Sequence, residues 1–231
     1  MKIELLDHGY LQLVESWGSD ERIIESARMS TNKGFLGWGP KDGKPGDEKL
    51  LAFLYKNKHL TPFEMAGVTI EVQAPILVFR EWHRHRTQSY SELSSRYTAI
   101  PDFNYIPTVE RLMLNSKTNK QAGTIKDAEE LTLDNAERFQ FALKRMYDED
   151  QWLYDKYLKL GVPKELARVH LPVGRYSRMR ASGNLRNWLG FLHLRMAENA
   201  QWEIRQYANA LAKVVEQTFP RTYTLFRNEN I

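Results

Sequence analysis

The chain has 231 residues, 42% apolar and 27% charged, with a formal net charge of +4, a balance that fits one water-soluble domain over residues 1–231. It contains no cysteine, which excludes disulfides, cysteine-ligated zinc, iron–sulfur clusters and thiolate nucleophiles. No apolar run is long enough to span a bilayer. Acidic residues interrupt the opening stretch MKIELLDHGYLQLVES where a secretory signal is apolar, so a cytoplasmic location is expected.

In chain order, the first irregular segment is 32–47, where Gly34, Gly37, Gly39, Gly43 and Gly46 suggest a mobile surface loop. No strand precedes these glycines and their spacing is wrong for a dinucleotide fingerprint. Val68, Ile70 and Val72 alternate with Thr69, Glu71 and Gln73, which predicts a half-buried strand over 67–73. Pro75 suits the first turn of a helix with Ile76, Leu77 and Phe79 on its apolar side. Its end is expected near Arg86, where Arg84, His85 and Arg86 would complement the negative pole. The strongest helical pattern runs over 126–160. Ala136, Phe139, Leu143, Met146, Leu153, Tyr157 and Leu160 recur on one stripe, with Asp150 as an interruption. Gly161 and Pro163 stop it and begin a shorter helix through Arg168. An extended stretch over 171–182, a helix over 184–195 and a last helix carrying Ile204, Ala208, Leu211 and Val215 follow. The expected fold is α+β, with long helices packed on a small, mostly antiparallel sheet. The long stripe suits either an intrachain core or a subunit interface.

Chemistry concentrates in three places. The run from Arg84 to Tyr97, RHRTQSYSELSSRY, mixes cations with serine hydroxyls and a single acid, Glu92. Arginine forks and hydroxyls together suit an oxyanion, and Glu92 could accept from a sugar hydroxyl or a ring N–H. A helix C-terminus with capping cations is the plainer reading. Between Arg168 and Met196 lie six arginines, two histidines and no carboxylate. As a set they favour an anionic ligand, although each could pair with distant acids such as Asp148, Glu149 and Asp150. Finally, His59 to Glu64 reads HLTPFE, where Thr61 before Pro62 suits a turn or cap and His59 a general base. His83 and His85 with His59 invite a zinc reading that the flanking arginines oppose.

Taken together, these segments resemble the flavin-dependent thymidylate synthases. The signature Arg-His-Arg, seven residues, Ser falls on Arg84, His85, Arg86 and Ser94. SARMST (Ser26–Thr31), HLTPFE, ELARVHLP (Glu165–Pro172), NLR (Asn184–Arg186) and LRMAENAQWEIRQYA (Leu194–Ala208) are similar to further family segments. The likeness covers most of the chain except the glycine segment and the region 109–127.

The resemblance implies a homotetramer with FAD between subunits and dUMP stacked on the flavin. It assigns His59, Thr61, Arg84, His85, Arg86, Glu92, Asn184 and Arg186 to the cofactor. Glu81, Arg84, Glu92, Ser94, Ser95, Arg96 and Arg168 fall to dUMP, and Arg195 to the uracil ring as the catalytic charge stabiliser. Two positions depart from the family: Gly190 stands where Asn or His is frequent, and Glu81 where Gln is common. The implied reaction is methylation of dUMP to dTMP, with 5,10-methylenetetrahydrofolate as carbon donor and NADPH reducing the flavin. A nucleic-acid-binding module using the arginines with Trp82, Tyr90, Tyr97 and Tyr176, or a helical assembly protein without a ligand, are the rival readings.

Overall fold

The computed structural model describes residues 1–40, 43, 45–114 and 123–230. Strands β1 (Lys2–Leu5) and β2 (Gly9–Trp17) form an N-terminal hairpin. They join β3 (Gly67–Pro75), β5 (Tyr176–Asn184) and the short β4 (Ser89–Glu92) in one antiparallel sheet of order β1-β2-β3-β5-β4. The alternation at β3 is realised: Val68, Ile70 and Val72 are fully buried, while Thr69, Glu71 and Gln73 lie half-buried on the opposite face. β3 and β5 pair without a bulge from Gly67 opposite Asn184 to Pro75 opposite Tyr176. Gly67 permits this. A Cβ there would lie 2.3 Å from the Trp17 ring and 2.4 Å from the Gly183 carbonyl, so any larger residue must push the strands apart.

The helices are α1 (Asp20–Arg28), α2 (Asp47–Lys56), α3 (Ile76–Trp82), α4 (Val109–Met113), α5 (Leu133–Lys159), α6 (Lys164–Ala167), α7 (Leu185–Arg195), α8 (Trp202–Thr218) and α9 (Pro220–Asn230), with a 3₁₀ turn at Thr61–Met65. Apolar side chains of α3, α7 and α8 share a continuous core with those of β2, β3 and β5. The stripe Ile204, Ala208, Leu211 and Val215 is fully buried, as its spacing predicts. The hairpin β1–β2 and helices α1, α2 and α9 were not anticipated.

The structure departs from these expectations at five points. The helix after Pro75 ends at Trp82, so Arg84, His85 and Arg86 lie in a turn. There the ladder tightens, with the Arg84 and His85 amides bonded to the Glu81 and Trp82 carbonyls. The long helix begins at Leu133, not near 126. Asp127 has a φ of +63°, and the Thr132 hydroxyl accepts from the Asn135 amide to start the helix. Most of its stripe faces outward: Phe139, Met146, Tyr157 and Leu160 are exposed and Leu143 and Leu153 half-buried, while Ala136 alone of the stripe is buried, on the side that carries Tyr147 and Tyr154. The described part of the glycine segment is bonded to the rest of the fold in two places. Buried Asp47 accepts from the Leu36 and Gly37 amides and from Arg28, and the Trp38 indole donates to Glu21 at 2.6 Å. The extended stretch 171–182 becomes strand only from Tyr176, because the Arg175 amide closes a turn onto the Pro172 carbonyl.

Asp20 is 3% exposed and joins the two ends of the chain. It accepts from the Arg221 amide at 2.9 Å, the Thr222 amide at 3.2 Å and the Thr222 hydroxyl at 2.6 Å, capping α9. Asp20→Ala strands these buried donors, and urea unfolding should show about 2 kcal/mol of lost stability. A loss below about 0.5 kcal/mol would mean that the cap is solvated.

Candidate active site

The Arg84–Arg86 turn is held from β4 and α7. The Tyr90 hydroxyl donates to the His85 carbonyl at 2.6 Å, and the Trp82 indole donates to the Gln88 side chain at 3.1 Å. From α7, the Asn187 amide side chain donates to the Thr87 carbonyl at 3.0 Å. Asn187 is itself placed by Asn184, whose side-chain oxygen accepts from the Asn187 backbone amide at 3.0 Å and caps the helix. The chain thus passes through Arg84, His85 and Arg86 along one defined path.

Arg195, the last residue of α7, reaches back to this turn. Its Nε donates to His85 Nε2 at 2.9 Å, Nη1 to the Glu81 carboxylate at 2.7 Å and Nη2 to the Glu81 carbonyl at 3.0 Å. A guanidinium can only donate, so His85 Nε2 must accept and the imidazole is neutral with its proton on Nδ1. Burial lowers the His85 pKa, the Arg195 charge lowers it further and Glu81 opposes them, leaving it at about 4. The Phe191 ring packs against His85 at 4.7 Å.

His85 lines a cleft of about 600 Å³ together with Leu60, Thr87, Arg186, Asn187 and Gly190. Arg186 is ion-paired with Glu64 of the HLTPFE segment, so this segment and the NLR motif meet. Thr61 is exposed at the start of its 3₁₀ turn, and exposed His59 rests its ring against Phe53 at 5.7 Å. Arg84 and Arg86 are exposed and have no side-chain hydrogen bond or ion pair among the described residues.

A second cleft, about 610 Å³, gathers Glu92, Ser94, Ser95, Arg96 and Arg168. Arg168 donates to the buried Ser95 hydroxyl. Arg96 donates to the Glu165 carboxylate at 3.1 Å, and Glu92 accepts from the Ser177 hydroxyl at 2.7 Å. The two clefts share no lining residue: His83 lines this one and His85 the other. Five of the residues that the resemblance gave to dUMP, Glu92, Ser94, Ser95, Arg96 and Arg168, are therefore in one cleft, while Glu81, Arg84 and Arg195 line neither and Arg195 donates to His85 of the other. Sequence reasoning did not foresee Tyr90, Gln88, Ser177, Glu165 and Asn187 as supports. Only Asn187, three residues after the capping Asn184, carried a local signal.

His59, His83 and His85 are held apart on Phe53, Tyr90 and Arg195 respectively. Among the described residues no three histidine or acidic side chains converge on a metal position. Trp82 and Tyr176 are buried and cannot serve as stacking platforms for a nucleic acid.

The sequence profile described as "Thymidylate synthase complementing protein" matches residues 12–221. The chain belongs to the flavin-dependent thymidylate synthase family. It is therefore an enzyme. The chain is 37% identical to a flavin-dependent thymidylate synthase of Thermus thermophilus, covering 98% of this chain and 78% of that one. It is also 37% identical to that of Thermosipho melanesiensis, covering 100% and 95%. Among solved structures, it is similar to a UMP/dUMP methylase, PolB, from Streptomyces cacaoi bound with 5-Br UMP. The TM-score is 0.82 at 28% identity, covering 99% of this chain and 97% of that one.

The family departure at Gly190 leaves space: a Cβ there meets nothing within 4 Å. Gly190→Ala removes a flexible residue from the middle of α7 and should raise stability by about 0.5–1 kcal/mol. Urea denaturation showing a loss instead would reveal a hidden clash. A second test concerns His85. An NMR titration should place its pKa near 4, and Arg195→Ala should move it upward by removing the adjacent positive charge. An unmoved value in that variant would contradict the Nε2 contact.

Proposed function

We propose that this protein methylates dUMP to dTMP, taking the one-carbon unit from 5,10-methylenetetrahydrofolate. Bound FAD, reduced by NADPH, supplies the hydride that completes the methyl group. The family supports a flavin and a thymidylate product, and the UMP/dUMP methylase neighbour supports the nucleotide. A cytoplasmic site of action accompanies this reading, and no helix of the described residues is long and apolar enough to cross a membrane.

The observation that carries the reading is the distribution of cations over two clefts. A nucleotide phosphate calls for charge-assisted donors, and Ser94, Ser95, Arg96 and Arg168 supply them at one cleft. The other cleft fits a flavin dinucleotide. It has apolar walls in Leu60, Leu189 and Phe226 for a ring system, and the unpaired cations Arg84 and Arg86 on the adjoining turn suit a pyrophosphate. In this reading His59, Thr61, Asn184 and Arg186 border the cofactor, with Arg84 and Glu92 between the two ligands.

The chain has no cysteine to add to the uracil ring, so the ring must be activated without a covalent thiol adduct. Arg195 is suited to this. Its orientation is fixed by three hydrogen bonds, so it can favour negative charge developing on a ring carbonyl with little reorganisation. His85, held neutral, accepts from Arg195 and does not compete with it for charge. Ser94 has no base beside it and serves as a binding group.

A dUMP stacked on the flavin must engage both clefts, yet in one chain they share no lining residue. We therefore place the complete site between copies of the chain in a homotetramer. The exposed apolar stripe of α5, from Phe139 to Leu160, supports burial against another copy.

Anaerobic turnover of the purified protein with dUMP, methylenetetrahydrofolate and NADPH should yield dTMP only when FAD is present. Product without flavin, or none in a flavin-loaded tetramer, would overturn the reaction. Arg195→Ala should lower turnover by about a hundredfold or more while FAD remains bound; unchanged turnover would remove Arg195 from the chemistry. Glu165→Gln frees Arg96 from an exposed ion pair and should tighten dUMP binding a few-fold, about what such pairs are worth. Weaker binding would make Glu165 a support of the cleft and not a competitor of the phosphate.

A further inference from the structure

We propose that Glu81 makes the site selective for uracil over cytosine rings, a role that rests on dUMP binding beside Arg195. The Arg195–Glu81 pair leaves donors and acceptors unused. Arg195 has five N–H groups and spends one from each nitrogen on His85, the Glu81 carboxylate and the Glu81 carbonyl. One N–H on Nη1 and one on Nη2 remain without a partner among the described residues. Glu81 uses Oε2 toward Arg195, and its Oε1 has no hydrogen bond among the described residues. The Glu81 side chain is 43% exposed, so the carboxylate is open to a ligand.

The pair therefore presents a fixed donor next to a fixed acceptor. An ionised carboxylate accepts only, and a guanidinium donates only. The uracil edge offers the matching pattern, since its C4 carbonyl accepts and the adjacent N3–H donates. Cytosine inverts both positions. Its exocyclic amine would face the guanidinium N–H groups, and its N3 lone pair would face the carboxylate. Glutamine could turn either its oxygen or its amide nitrogen toward the ring, whereas glutamate has no donor to offer. The acid in this position thus does more than hold Arg195. It imposes a cost on any ring lacking an N–H at N3, because the unpaired groups lose water without gaining partners.

Binding of dUMP and dCMP to the flavin-loaded protein isolates this effect, because sugar and phosphate are the same in both. The wild type should bind dUMP at least about a hundredfold more tightly than dCMP, within the range by which polar sites reject a mismatched group. In Glu81→Gln the ratio should fall below about tenfold, mostly through tighter dCMP binding. Glu81→Ala should also compress the ratio, by removing the repulsion together with the acceptor. A ratio unchanged in both variants, with both nucleotides weakened alike, would make Glu81 only a structural clamp for Arg195 and overturn the inference. Wild-type protein that binds no dUMP would instead remove the underlying reading, and the inference with it.

Discussion

The uninterrupted pairing of β3 with β5 is the constraint on which the rest depends. Its register, Gly67 opposite Asn184 through Pro75 opposite Tyr176, determines where two helices leave the sheet. β3 delivers α3 from one end, and β5 delivers α7 from the other through the Asn184 cap. Because the strands are antiparallel, these short helices run back over the same face and meet at Trp82, Trp188 and Phe191. A register slip of one residue would invert every side chain of a strand, and fully buried Val68, Ile70, Val72 and Ala74 forbid that. The core therefore decides, at a distance, that Arg195 ends beside His85.

The clasp between Arg195 and His85 gives this architecture a chemical result. A cation buried to 15% exposure on its side chain would ordinarily demand a carboxylate and nothing more. Here Glu81 supplies the charge, and a neutral imidazole, its pKa pushed down to about 4 by burial and the Arg195 charge, supplies a second acceptor. The guanidinium is held by three contacts and still has donors left over, which in the proposed reaction suits it to preorganised stabilisation of developing charge. The other cleft is less settled: Arg96 and Glu165 form an exposed pair at its edge that an incoming anion can replace.

Much of this was legible in the sequence, for identifiable reasons. β3 and α8 bury one face only, so their periods of two and 3.6 are printed in the residue order. The cation run and the acid-free stretch read as an anion site, yet four of the six arginines of that stretch meet acids from distant segments, Arg175 with Asp102, Arg180 with Glu71, Arg186 with Glu64 and Arg195 with Glu81. Other features were not local. Nothing between Pro75 and Arg86 announces that the helix stops at Trp82. The stop is supported by Tyr90 and Gln88, which engage the turn from β4 and from inside the core. The α5 stripe shows a different limit. Its periodicity was read correctly as an apolar face, but periodicity cannot tell whether the partner is the same chain or another. Likewise, sequence grouped Ser94 with the Arg195 region without revealing that, in a single chain, Ser94 and His85, the partner of Arg195, line separate clefts.

That separation leads to the most direct test of the account, subunit complementation between Arg168→Ala and Arg195→Ala. Each variant alone has every site defective. If the site forms between copies, co-assembled mixed oligomers contain some sites with both native arginines, and activity should rise well above the sum of the separate variants. If both arginines of a working site came from one chain, no mixed oligomer would contain an intact site. Activity no greater than that sum, in verified mixed oligomers, would contradict the account.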